Sequence, residues 1–264
     1  MKIKQIRNAT LRIEYAGQAL LVDPWLAAKG SLGSFADIPD TQMTDPTNLH
    51  SKMPLVELPE TKEAILQGID AYLLTHLHPD HFDFDPATGI AGQTLDKHVP
   101  LFVQNESEAK LMRQSGFQKV MLLRSAGSRF GDLTITKTPA CHGTETPCGP
   151  ACGLILQSPQ EKTLYIAGDT IWYEGVAQTL AQYRPDVIIL NACAASLVGF
   201  GRLIMNEKDI LQVHRACPNS HLIASHMDTV AHALLTRQTL REKLAALGIL
   251  GQVRIPTDGE TIAF

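Results

Sequence analysis

Apolar and polar residues alternate through the opening of the chain. Lys2–Arg7, Leu11–Tyr15 and Ala19–Val22 each read as a strand, with Gly17 as a turn between the last two. The alternation then stops. Residues 27–59 are rich in Gly, Pro, Ser, Asp and Thr and show little periodicity, so a long loop is expected there, either covering a site or a plain surface excursion. A short helix, Thr61–Leu66, and a strand, Ala71–Thr75, lead to His76. Strands are predicted at Pro100–Val103, Val120–Leu123, Leu133–Thr138, Gly153–Leu156 and Thr163–Ala167, with helices at Glu106–Gln114 and Val176–Gln182. The apolar run Val187–Leu190 precedes helix Glu207–His214, strand His221–Ser225, helix Ala233–Leu247 and strand Gln252–Ile255. Leu240, Leu244 and Leu247 share one face of the last helix, and Gly248 is placed to end it. Meandering strands first and interleaved helices later predict an α/β (α+β) protein with two sheets flanked by helices. No Pro/Gly-rich linker divides two cores, so residues 1–264 are expected to form one domain.

Composition narrows the functional classes. The chain has 264 residues, 44% hydrophobic and 19% charged, enough for a substantial core. The net charge is -4 and Lys and Arg are scattered, so no nucleic-acid partner is expected. No stretch approaches the roughly 20 apolar residues of a membrane span, and the N-terminal segment lacks a signal-like apolar core; a cytoplasmic location is expected. Cys141, Cys148, Cys152, Cys193 and Cys217 are too irregular for a disulfide framework, and Cys148 with Cys152 lacks the second pair of a zinc finger.

The chemistry concentrates in His76-Leu77-His78-Pro79-Asp80-His81. In a turn after a strand, His76 and His78 can point to one side while Asp80 and His81 reach another. Two imidazoles suit a zinc-like ion; a carboxylate with an imidazole suits a second, harder one. One turn cannot saturate two ions, so distant ligands are expected at strand ends. Leu133–Thr138 runs into His142, Thr163–Ala167 into Gly168-Asp169, and His221–Ser225 into His226. Strand alternation turns Cys141 away from the side His142 faces. Trp172 and Tyr173 follow Asp169 closely and are candidate pocket walls, and Arg202 is a candidate partner for an anionic group. Trp172 and Tyr173 also fit a core packing role, and Arg202 fits a solvated one. His232 lies near enough to His226 to hold in view.

This pattern resembles the metallo-β-lactamase superfamily, whose signature is the His-x-His-x-Asp-His turn followed by a His, an Asp and a final His. Leu21-Val22-Asp23-Pro24, Leu74-Thr75-His76, Ile166-Ala167-Gly168-Asp169-Thr170 and Ser225-His226-Met227 are similar to the bacterial ascorbate-6-phosphate lactonase-like branch. The resemblance implies a four-layer αββα sandwich and two divalent ions, Zn or Mn. One ion would be held by His76, His78 and His142, the other by Asp80, His81 and His226, with Asp169 bridging. It also implies Asp23 as a group orienting the histidine turn, although a simple turn role before Pro24 fits as well. Many relatives carry a His where this chain has Asn8, which therefore receives no role. The implied reaction is hydrolysis of a small-molecule ester or lactone by a metal-bridging hydroxide, with Asp80 orienting it. Phosphodiester hydrolysis is the alternative, and a metal-containing binding protein without catalysis a third. Homo-oligomers are common among such relatives.

Overall fold

The computed structural model describes residues 1–39, 41–85 and 87–264; residue 40, within the loop expected at 27–59, and residue 86 lie outside the described residues. In chain order the strands of the two main sheets are β1 (Lys2–Arg7), β2 (Thr10–Tyr15), β3 (Gln18–Val22), β4 (Ala71–Leu73), β5 (Leu101–Val103), β6 (Val120–Leu122) and β7 (Ser128–Phe130). They continue with β8 (Leu133–Pro139), β9 (Cys152–Gln157), β10 (Leu164–Ile166), β11 (Val187–Asn191), β12 (His221–Ser225), β13 (Val253–Arg254) and β14 (Thr261–Ala263). The helices are α1 (Lys62–Leu66), α2 (Glu106–Gln114), α3 (Glu174–Tyr183), α4 (Glu207–Ala216) and α5 (Arg237–Ala246).

One seven-stranded sheet has the order β14-β1-β2-β3-β4-β5-β6, the other β13-β12-β11-β10-β9-β8-β7. Both are mixed. Their inner faces meet in a core where Ile13, Leu20, Val22 and Leu73 pack with Ile135, Leu154, Leu164 and Ile189. Period-2 alternation sends the intervening residues outward. Ile155, Tyr165, Ile188 and Leu222 cover the second sheet's outer face against Val176, Leu180, Ile210, Val213 and Leu240 of α3, α4 and α5. Leu21, Tyr72, Leu101 and Val103 meet Ile65, Ala109 and Met112 of α1 and α2 on the other side. The layers are therefore helix, sheet, sheet, helix.

Pairing directions decide where the chemistry sits. β1 and β3 are both antiparallel to β2, and β3, β4 and β5 are mutually parallel, so all four run the same way. In the second sheet β8, β10, β11 and β12 likewise share a direction. Residues just past the C-terminal ends of these strands collect along one edge of each sheet. Asn8, Asp23 and His76 come from the first sheet; His142, Asp169 and His226 come from the second.

Two short edge strands, β7 and β14, escape the sequence pattern. The last helix starts at Arg237 rather than Ala233. Thr236 caps it by accepting the Thr239 N–H, while the N–H groups of Leu234 and Leu235 are committed to the Cys193 carbonyl at 3.0 and 2.9 Å. Gly248 ends the helix as anticipated: at φ +73° its N–H bonds Ala245 O, and Ile249 N–H reaches back to Leu244 O. The expected loop spans the stretch after β3 but contains two single 3-10 turns, Phe35–Asp37 and Pro46–Asn48. Among the described residues no helix is long and apolar enough to cross a membrane.

Candidate metal centre

All seven residues singled out around the histidine turn converge. Three overlapping sets, His76/His78/His142, His76/His81/Asp169 and Asp80/His81/His226, each place one donor atom per residue within 4.8 Å of the others. Asp169 is central: its Oδ2 lies 3.3 Å from His81 Nε2, 3.7 Å from His142 Nε2, 3.8 Å from His76 Nε2 and 4.0 Å from His226 Nε2. Its Oδ1 accepts the Asn191 amide at 2.6 Å, which fixes the carboxylate's rotation. Gly168 delivers it. At φ +66° a side chain would be strained, and a Cβ there would stand 2.5 Å from the Cys152 carbonyl.

The histidine turn is braced from below. Asp23 accepts from Thr75 N at 2.8 Å and from Thr75 Oγ1 at 2.7 Å, and its Oδ2 lies 2.9 Å from His81 Nδ1. His142 Nδ1 meets the Leu203 carbonyl at 3.1 Å, leaving Nε2 for the cluster. Cys193 Sγ lies 3.6 Å from His226 Nδ1. Asn8 carries more than the sequence suggested: its amide donates to the Asp80 carbonyl at 2.9 Å and lies 3.2 Å from His226 Nε2. Asn8 and Asn191 share the signal of the other site residues, a polar side chain at or just past a strand end. Asn8, Asp23 and His226 also have positive φ, an uncommon backbone state that clusters at working sites.

The donor set fits cations. His142 Nε2 faces His78 Nδ1 at 3.3 Å, and His81 Nε2 faces His226 Nε2 at 3.2 Å, so ring nitrogens that can act as metal donors are crowded against one another. His76 Nε2 is buried with no hydrogen-bond partner among the described residues. Burial, with His81 and His78 nearby, pushes His76 well below its usual pKa; burial and His142 bring His78 down to about 4. Burial opposes charge on His81 too, yet Asp169, Asp23 and Asp80 outweigh it and raise that group to about 10. Burial disfavours ionised Asp80 and Asp169, but their imidazole neighbours pull both well below the ordinary carboxylate range. Buried carboxylates that depend on protonated imidazoles for their counter-charge form a field suited to a bound cation.

Comparison with known proteins agrees with this geometry. Residues 19–227 match the family model of the β-lactamase superfamily domain. The UPF0173 protein YddR of Bacillus subtilis is 38% identical over all of both chains. This chain belongs to the β-lactamase superfamily. Its fold is the metallo-β-lactamase fold, and within the superfamily its relatives are metal-dependent hydrolases. A UPF0173 metal-dependent hydrolase of Xanthobacter autotrophicus is 25% identical over 72% of this chain and 70% of its own. The crystal structure of isothiocyanate hydrolase from Delia radicum gut bacteria matches with TM-score 0.89 and 38% identity, covering 100% of this chain and 99% of that one.

In this superfamily member the centre opens into a cavity of about 250 Å³. His78, Asp80, His142 and Asp169 reach it from the cluster, while Leu32, Phe35, Ile38 and Met53 line it from the loop, joined by Leu197 and Leu203. The loop residues are clasped in place: Leu32 N–H bonds Met53 O at 2.8 Å, and Met53 N–H bonds Gly33 O at 2.8 Å. The substrate-contact candidates fall elsewhere. Trp172 and Tyr173 are partly buried against the core beside α3, and neither lines this cavity. Arg202 donates to Asp209 and to the Ile204 carbonyl, so its charge is already paired rather than offered to an anion. The five cysteines are free; Cys152 gives its thiol to the Thr75 carbonyl, and Cys148 lines the cavity.

Proposed function

We propose that this protein is a metal-dependent hydrolase that adds water to small, uncharged, largely apolar electrophiles, with isothiocyanates first and esters or lactones second. The observation that carries this reading is the cavity. It joins a His/Asp cluster to apolar walls, and no Lys or Arg occurs among its described lining residues. A phosphate ester would depend on the bound metal alone for charge, with no side-chain cation in the lining to help, which ranks phosphodiesters behind neutral substrates. Full-length similarity to an isothiocyanate hydrolase supports the order of substrates.

His76, His78 and His142 would hold one divalent ion, Asp80, His81 and His226 a second, with Asp169 between; Zn or Mn there would supply Lewis acidity and a more acidic water. The chain's own groups do the rest. Asp80, braced by Asn8 and open to the cavity, accepts the proton of the incoming water. Asp23 holds His81 in one orientation through Nδ1. Leu32, Phe35, Ile38 and Met53 exclude bulk water around the reacting carbon. With an isothiocyanate, water adds to the central carbon; the resulting thiocarbamate breaks its C–N bond and releases carbonyl sulfide and an amine. With an ester, the C–O bond breaks.

The test is metal analysis of the purified protein together with rates on benzyl isothiocyanate, a γ-lactone and a chromogenic phosphodiester. The reading expects about two equivalents of Zn or Mn and chelator-sensitive turnover of the first substrate, the second, or both. Preferential phosphodiester cleavage, or turnover indifferent to chelation, overturns it.

A further inference from the structure

We propose that His232 faces the reacting heteroatom of the substrate, its Nε2–H donating a hydrogen bond to the nitrogen, sulfur or oxygen that gains negative charge as water adds to the adjacent carbon. The proposal rests on the hydrolase reading and assigns it a catalytic group outside the His/Asp cluster.

His232 lines the cavity together with His78, Asp80, His142 and Asp169. Its ring is held at defined points. The Phe35 ring stands edge-on to it, with centroids 5.0 Å apart and planes at 72°. Its backbone carbonyl accepts Ser196 N–H at 3.0 Å, and Leu234 and Leu235, two and three residues further on, donate their N–H groups to the Cys193 carbonyl. Nδ1 is enclosed and has no hydrogen-bond partner among the described residues. Nδ1 is unmet in either tautomer, so the ring can gain a partner only through Nε2, the edge left to face the cavity. A substrate heteroatom gaining negative charge there selects the neutral tautomer with its single proton on Nε2. Burial supports the neutral form by bringing this imidazole down to about 4.

The result is an uncommitted N–H in a mostly apolar chamber, beside the groups that would hold the attacking water. Ser34, another polar lining residue, is already spent, its hydroxyl donating to Asp37 Oδ2 at 2.8 Å. Donors fixed in advance on developing charge act strongly in water-poor sites. Removing one costs about 100-fold to 1000-fold in kcat.

The experiment compares metal-loaded wild type with His232→Phe, which keeps a ring against Phe35, and His232→Gln, which restores an N–H donor. The expected result on benzyl isothiocyanate is a kcat loss of about 100-fold in the Phe variant, with metal content and thermal midpoint unchanged and partial recovery in the Gln variant. An unchanged kcat in His232→Phe overturns the proposal, as does lost metal in both variants. A binding arm is independent of turnover. Calorimetry with phenylthiourea, a neutral probe with a sulfur acceptor, should show about tenfold weaker binding to His232→Phe than to wild type. Equal affinities overturn the assignment. Wild type that binds the probe through His232 but hydrolyses nothing sinks the hydrolase reading alone.

Discussion

Both carboxylate oxygens of Asp23 are engaged, one by the Thr75 N–H and the other by the Thr75 hydroxyl and His81 Nδ1. The same residue sits at φ +44° directly before Pro24. Turn-former and histidine anchor, two readings that compete in the sequence, are therefore both present in one side chain. Asp23→Ala removes the partner that orients His81, and metal affinity should fall about 10-fold to 100-fold with the fold retained, read by competitive chelation. Gly168→Ala makes a different point. With a Cβ driven toward the Cys152 carbonyl and a left-handed backbone to sustain, it should destabilise by about 2 kcal/mol or more in urea unfolding and displace Asp169. His76, His78, Asp80, His81, His142, Asp169 and His226 were legible because chemistry-bearing residues followed apolar runs. Asn8 and Asn191 were not, since an amide has no ligand signature and its role exists only once two strand ends meet. The Arg202 charge reads as available in the sequence because Asp209, its partner, lies on the next helix.

Among the elements, strand direction does the organising. Co-directed strands bring their C-terminal ends to one rim, so six separate chain segments supply the centre without a long excursion. Long alternating strands and well-capped helices were readable because their signals are local. β14 was missed because its three residues become a strand only by pairing with β1 at the far end of the chain. The helix that begins at Arg237 shows the same limit in reverse: Ala233, Leu234 and Leu235 suit a helix, but tertiary bonds to Cys193 take them out of it. Thr236→Ala should cost about 1 kcal/mol of stability in urea unfolding, because it removes the cap on Thr239 N–H. Metal content should stay the same.

At the scale of the whole molecule, the centre lies at the shared edge of the two sheets and is held there by groups that crowd or face one another when no cation joins them. Such a cluster is a poor stabiliser on its own. Metal should therefore bind the folded chain and act as a brace across the sandwich. Saturating metal at about 1000 times its Kd would add about 4 kcal/mol, so chelation should lower the thermal midpoint by about 10 °C. No change on chelation would show that the sheets hold without the centre.

The clasp between Leu32 and Met53 has a consequence for how this protein relates to its kin. On the proposed reading, whether a molecule can react and whether it can enter are questions for different stretches of chain: strand ends for the first, the cavity-lining residues Leu32, Phe35, Ile38 and Met53 for much of the second. Editing that clasped stretch should then change the guest list while the strand-end residues stay as they are. Two proteins with identical metal residues can then serve different molecules, and the walls are the better guide to what each one meets.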